Sequence, residues 1–219
     1  MKKDILKAYK FRYACKEFDI NKKISEEDFN LILETGRLSP SSFGWEPWQI
    51  LVIQDKDIRR KLRADAWGAQ LKLDTASHFV IFLSRKASEL RENSAYLKHM
   101  ANDIQKLPKN IAEDKLKFFK DFMANDFALK TDREIFDWSS KQSYIALGNM
   151  LTTAAMLEID SVPMEGFNRE KIEKILEEEN IIDSSKFGVS VMAAFGYRAP
   201  NQEIFPKTRR SFDDVIKFV

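Results

Sequence analysis

Cysteine is nearly missing from this chain, where Cys15 stands alone. One thiol permits no intrachain disulfide and no multi-cysteine metal site. Histidine is almost as scarce, with only His78 and His99. A zinc centre would need mostly carboxylate ligands, so no metal site is expected. Neither sign of charge prevails: 36 Lys and Arg face 34 Asp and Glu, a formal net charge of +2. That balance argues against a polybasic nucleic-acid binder. Seven glycines and six prolines leave few flexible joints, and no repeat, low-complexity tract or Gly/Ser linker divides the sequence. No predicted strand runs into a G-x-G-x-x-G or G-x-x-x-x-G-K turn, so any phosphate must be held by other means.

Long hydrophobic runs are lacking too. Residues 1–7 interrupt their apolar side chains with charge at once, which leaves no signal-peptide core. The longest apolar stretch, residues 144–159, contains Asn149, Thr152, Thr153 and Glu158. It is too short and too polar to span a bilayer and reads as a buried core or interface helix. The expectation is a soluble, cytoplasmic protein without membrane attachment.

What is present is core-forming material. The chain is 44% hydrophobic and carries seventeen Phe among its 219 residues, enough apolar surface to offset the entropy of ordering one domain over residues 1–219. Residues 25–38 predict a helix: Ser25-Glu26-Glu27-Asp28 resembles a capping box, and Phe29, Ile32, Leu33 and Gly36 recur at helical spacing. Residues 47–53 and 79–83 read as strands with a helix over 58–67 between them. Residues 88–130 read as charged, Phe-rich helices broken at Pro108, followed by a helix over 133–158. A short run into Val162 and Pro163, an amphipathic helix over 169–178 and a strand over 187–195 complete the pattern. Helices that separate about four strands give an α+β or α/β architecture.

Four separated segments carry residue types suited to one anionic ligand. In the first, Arg12 and Lys16 lie four apart around Tyr13 and share a side; a guanidinium forks onto phosphate oxygens and an ammonium acts as a point charge. Taken alone, this segment reads as an ordinary solvated basic stretch. Cys15 within it reads as a small buried filler, since no Cys-His pair is evident. The second segment, residues 39–48, is a loop offering Pro40, Ser41, Ser42 and Gly44 among three large aromatics. The third, residues 159–167, carries Pro163-Met164-Glu165-Gly166, where backbone amides meet a turn and Gly166 is free to take positive φ. Glu165 reads as a general base or, preferably, as a carrier of a fixed N–H. In the fourth, Pro206 extends the backbone and alternation puts Lys207 and Arg209 on one side, as a phosphate dianion would require. Lys72 adds a further cation, and His78 reads as a structural residue at a strand start.

In this order and spacing the segments resemble the FMN-dependent nitroreductase family, the NAD(P)H-flavin oxidoreductases. The resemblance is carried over essentially the whole chain by residues 12–19, 39–48, 76–78, 142–151, 162–167 and 206–209. It implies a mixed sheet flanked by helices, assembled as an intertwined homodimer with two FMN sites at the interface. Arg12, Lys207 and Arg209 would hold the FMN phosphate, with Tyr13 standing where many relatives have a smaller or hydroxylated residue. Lys16 and Lys72 would face the pyrimidine end of the ring, and Pro40, Ser41 and Ser42 would come from the partner subunit. Pro163, Met164, Glu165 and Gly166 would line the flavin face, with the backbone of Glu165 and Gly166 near N5. Gln70 would substitute for a ring contact that Ala69 lacks, and Phe119 would be a mobile aromatic over the substrate cleft.

The implied activity is hydride transfer from NADH or NADPH through flavin N5 to nitroaromatic, quinone or flavin acceptors in a ping-pong cycle. No side-chain nucleophile is required, because the cofactor carries the chemistry. The alternatives are a specialised flavin reductase or ene-reductase of the same fold, and an FMN-binding storage or sensor protein without useful turnover.

Overall fold

The computed structural model describes every residue except Met1 and Asn201. Helix α1 (Lys2–Phe11) leads into an extended segment, then α2 (Glu26–Arg37). Ser25 caps α2 by accepting from the Asp28 N–H, as the sequence predicts. Strand β1 (Trp48–Val52), α3 (Lys56–Arg63), α4 (Gln70–Thr75) and β2 (His78–Arg85) follow. The short helices α5 (Ala87–Leu90) and α6 (Ala95–His99) precede α7 (Lys109–Asp121), which starts directly after Pro108. There the missing N–H of proline costs no helical hydrogen bond. The long α8 (Asp132–Met156) opens on a complete capping box between Thr131 and Glu134. Strand β3 (Asp160–Met164), α9 (Arg169–Glu178), β4 (Phe187–Gly196) and α10 (Phe212–Val215) complete the order.

The four strands form one sheet in the order β1-β2-β4-β3, with every neighbouring pair antiparallel. Among the described residues the one parallel contact is an isolated bridge between Ala14 and Ser161. Within this chain the sheet is therefore antiparallel, where the family resemblance implied a mixed one. The α+β expectation holds.

The central strands β2 and β4 are buried on both faces, which is why both read as nearly unbroken apolar runs. On one face, Phe79, Ile81, Val189 and Met192 pack with Leu62, Leu73 and Ile172 from α3, α4 and α9. On the other, Val80, Phe82, Val191 and Phe195 pack with Ile32 of α2 and Leu147 and Met150 of α8. A third cluster, built on Trp45, Leu97, Phe119 and Trp138, holds the segment between β2 and α8 against the start of α8. Among the described residues no helix is long and apolar enough to cross a membrane.

Candidate functional site

The third strand forms one edge of the sheet, and most of the predicted site gathers along it. The bridge from Ala14 to Ser161 lays residues 12–18 beside β3, and a second bridge, Phe18 to Arg198, fastens them to the chain leaving β4. Arg198 chelates the buried Asp160 with Nη2 at 2.5 Å and Nε at 2.9 Å and lies over the Phe11 and Tyr13 rings. This interior ion pair ties two of the segments to one strand. Tyr13 donates its hydroxyl to Gln202, and the Lys16 N–H donates to the same Gln202 oxygen at 3.1 Å. The Tyr13 side chain thus helps position the chain leading to residues 205–209.

Two groups of like charge result. Lys207 donates to the Lys10 carbonyl at 3.2 Å and to the Arg12 carbonyl, which brings the predicted phosphate cations Arg12, Lys207 and Arg209 into one cluster. Burial, followed by Arg12, Arg209 and Arg198, pushes the Lys207 ammonium below its ordinary pKa. A second pair forms at Lys72, whose pKa is lowered by burial and then by Lys16. Cations held together against their own repulsion provide complementarity to an anion.

A backbone contact joins the turn after β3 to the chain that enters α4. The Gly68 N–H donates to the Gly166 carbonyl at 2.7 Å. A Cβ on Gly166 would stand 2.9 Å from Gly68 Cα and 3.0 Å from Gly68 N. Gly166 is therefore required for close approach, and the sequence expectation of a positive φ is corrected: among the described glycines only Gly44 takes one. The contact sets the turn after β3 against the chain entering α4, which carries Gln70 and Lys72. Gln70 is exposed, whereas Ala69 is fully buried in the core. Pro163 is exposed and Met164 buried. The Glu165 carboxylate accepts from the Tyr144 hydroxyl, so it faces α8, and burial followed by this carboxylate raises the Tyr144 pKa. Beside this turn a cleft of about 680 Å³ runs between α8 and the start of α9, walled by Ser140, Lys141 and Tyr144 and by Glu165, Phe167 and Arg169.

Pro40, Ser41 and Ser42 are not part of this gathering. Their loop precedes β1 on the opposite edge of the sheet, three strand spacings or about 14 Å across. It is nonetheless rigidly held: Gln142 accepts from the Ser42 N–H at 2.9 Å, Ser41 Oγ accepts from the Glu46 N–H at 2.8 Å, and Gln105 donates to the Gly44 carbonyl at 2.7 Å.

Phe119 is corrected. It is 1% exposed and packs against Phe43, Trp45 and Trp138, while its neighbour Phe118 is 70% exposed. Ala112, Leu116, Phe119 and Met123 recur at i, i+4, i+7 and i+11 and mark the inner face of α7. This pattern assigns Phe119 to the core. Cys15 is fully buried, and burial pushes its thiol pKa up to about 11, consistent with a filler. His78 stacks on Phe29 with ring centroids 3.7 Å apart at the head of β2, the structural place expected of it. The residues that sequence reasoning missed are supports: Tyr144, Gln142, Gln202, Gly68 and the Asp160–Arg198 pair. Gln142 and Tyr144 lie in the segment 142–151 that carries the family resemblance, and Gly68 is a glycine shortly before Lys72.

The family model described as the nitroreductase family matches residues 9–197. A Bacillus subtilis protein provisionally named an NAD(P)H nitroreductase is 50% identical over 220 residues, covering 100% of this chain and 99% of that protein. A Staphylococcus epidermidis protein with the same provisional name is 47% identical over 219 residues, covering 100% of this chain and 98% of its own length. Among solved structures, a Bacillus subtilis protein described as a nitroreductase superposes with a TM-score of 0.81 at 21% identity, with full coverage of both chains. A protein of Exiguobacterium sibiricum, solved in complex with FMN, gives 0.76 at 18% identity, covering 98% of this chain and 97% of that one. The structural likenesses establish the fold, and the near-half identity maintained end to end establishes descent: the chain belongs to the nitroreductase family.

Proposed function

We propose that this chain is an FMN-dependent oxidoreductase that takes hydride from NADH or NADPH and delivers it to nitroaromatic, quinone or flavin acceptors in a ping-pong cycle. The observation that carries the reading is the pair of cationic groups, Arg12–Lys207–Arg209 and Lys16–Lys72, the second borne in part by the helix whose entry packs on the turn after β3. One group suits a phosphate dianion and the other the electron-rich end of a reduced flavin ring. When bound, FMN supplies the hydride chemistry at N5. The protein's residues bind and orient. Arg12, Lys207 and Arg209 hold the phosphate; Lys16 and Lys72 stabilise negative charge at the pyrimidine end and raise the reduction potential. Pro163, Met164 and the backbone of Glu165 and Gly166 border the ring, and Gln70 reaches its edge from α4. The cleft beside Glu165 admits the flat reductant and then the flat acceptor.

The loop of Pro40, Ser41 and Ser42 completes the site only from a second copy, since in its own chain it lies on the far edge of the sheet. The working unit on this reading is a homodimer with two interface-shared sites, each chain contributing one domain. A cytoplasmic setting follows from the need for NADH or NADPH. Anaerobic stopped-flow mixing of the FMN-loaded protein with each nicotinamide tests the reading. Bleaching of the flavin absorbance, reversed by a nitroaromatic or quinone, is expected. A bound flavin that stays oxidised with both nicotinamides refutes the enzyme and leaves the storage or sensor alternative.

A further inference from the structure

A second cleft, of about 860 Å³, lies away from the gathered cations, where the segment before α2, the end of β1, α3, α4 and the head of β2 converge. Its volume falls in the range of roughly 300–1,000 Å³ typical of sites for small organic ligands. The lining combines two chemistries. Lys23, Lys56, Arg59 and Arg60 supply positive charge, and the exposed Ile20, with the edges of the buried Ile24 and Leu73, supplies the apolar lining.

The charge is not balanced by the protein. The cleft's carboxylates are Glu26 and Asp74, and Asp74 is already paired with Arg63 at 3.0 Å. Arg60 is paired with Asp57 at 2.6 Å. Among the described residues no carboxylate pairs with Lys23, Lys56 or Arg59. Arg59 is largely withdrawn from water, and burial lowers its pKa. Its guanidinium donates to the carbonyls of Ile53, Leu73 and Ala76 and to Gln54 Oε1 at 2.5–3.3 Å. These bonds use four of its five N–H donors, and one on Nη2 is left. A withdrawn cation such as Arg59, with no anion beside it, is costly, and an anionic ligand relieves that cost.

The cleft also presents a neutral donor. Ser77 Oγ accepts from the Ile24 N–H at 2.9 Å and lies 3.1 Å from His78 Nδ1. The Ser77 hydroxyl and His78 Nδ1 share this hydrogen bond, its direction set by the ring tautomer. Burial, then Arg59 and Lys23, keep this imidazole neutral.

We propose that this cleft is a second small-molecule site that takes an organic phosphate, its dianion on Lys23, Lys56 and the spare Arg59 donor and its body against Ile20, Ile24 and Leu73. The assignment stands whether or not residues 12–16 and 207–209 hold FMN. Both sites share α4, which carries Lys72 toward one and Leu73 and Asp74 toward the other.

The test uses the FMN-saturated protein, so that any flavin phosphate cradle is filled, with phenyl phosphate and inorganic phosphate as probes. The ring protons of His78 report on the cleft by NMR. Those of His99, exposed and paired with Asp103 at 2.8 Å, serve as the internal control. Phenyl phosphate is expected to shift His78 saturably and leave His99 in place. It should bind at least tenfold more weakly to the Lys23→Gln/Lys56→Gln variant, and inorganic phosphate should bind the parent more weakly than phenyl phosphate. Both lysines are exposed and unpaired, so an unchanged melting temperature verifies the variant's fold. An unmoved His78, or affinity that survives the double substitution, overturns the proposal. So does equal affinity for the two probes, because the apolar lining would then contribute nothing. Binding that falls in Arg209→Gln and persists in the lysine variant also overturns it, while leaving the role of the Arg209 cluster intact.

Discussion

At the scale of single residues, Arg209 offers the clearest separation of ligand binding from folding. Among the described residues its side chain donates only to the adjacent Thr208 carbonyl, yet its charge helps to depress the Lys207 pKa. Arg209→Gln should therefore relieve repulsion in the flavin-free protein and remove one charge-assisted contact to phosphate. Such a bond contributes about 1.5–3 kcal/mol, or roughly ten- to a hundredfold in affinity. FMN titration of the apoprotein should show that loss, with an apoprotein Tm no lower than the parent's. Unchanged FMN affinity would move the phosphate elsewhere. His78 gives a prediction on pH. Burial, Arg59 and Lys23 lower its pKa from 6.5 to about 4. Between those values the unfolded chain binds a proton that the folded chain refuses, so stability falls as pH drops from about 6.5 toward 4 and is unaffected above. His78→Phe keeps a ring against Phe29 and removes the proton. Its urea midpoint should fall less between pH 7 and pH 4.5 than the parent's, and an equal fall would discount His78 as a source of acid sensitivity.

At the scale of elements, the meeting of the turn after β3 with the entry to α4 is a backbone packing event. Gly166→Ala forces its new Cβ into Gly68 at 2.9 Å, where only backbone can give way. Overpacking of this kind costs about 1–3 kcal/mol, which in a chain of this size corresponds to a Tm lower by roughly 2–12 °C. Because α4 carries Lys72, FMN affinity should fall with it; a scan and a flavin titration on one preparation check both, and a Tm loss with full affinity would detach α4 from the site. Elements of this kind were unevenly readable. The helix at Arg169–Glu178 follows from its apolar period, β2 from its apolar run, and β4 from Val189, Val191 and Ala193 alternating around Ser190 and Met192, because core packing dictates those patterns. Helix α1 was not read. Its Ile5, Leu6 and Tyr9 stay exposed, and it is held by tertiary contacts such as Lys7 to Glu158 at 2.8 Å. A ten-residue helix gains little from propensity alone. The π-turns at Met100–Ile104 and Phe122–Asp126 likewise have no periodic signature. For the site, residue types and spacing identified the cations. What the sequence did not carry was the joinery, since Gln202 holding Tyr13 and Tyr144 meeting Glu165 depend on which surfaces face each other after folding.

At the scale of the whole molecule, the C-terminal segment is out of place on a solitary chain. Phe212, Val215, Ile216 and Phe218 are all exposed, Phe218 at 85%. Exposed apolar side chains also line α8 at Tyr144, Ile145 and Met156 and α1 at Ile5, Leu6 and Tyr9. A monomer seldom leaves so many large apolar side chains in water, and a symmetric dimer would cover them with the same surfaces of a second copy. On the proposed function, the loop of Ser41 and Ser42, anchored by Gln142 and remote from the gathered cations, would give such a dimer a functional reason as well. Removing residues 211–219 leaves Lys207 and Arg209 in the chain, so its effect on flavin would come through assembly. Sedimentation should show the parent at twice its 25.5 kDa chain mass and the truncated chain at one. FMN affinity should drop at least tenfold with the loss of the partner's loop. A truncated chain that stays dimeric would place the interface on α1 and α8 alone. A monomer that still binds FMN at full affinity would show that each chain holds its flavin unaided, and the shared-site arrangement would fall.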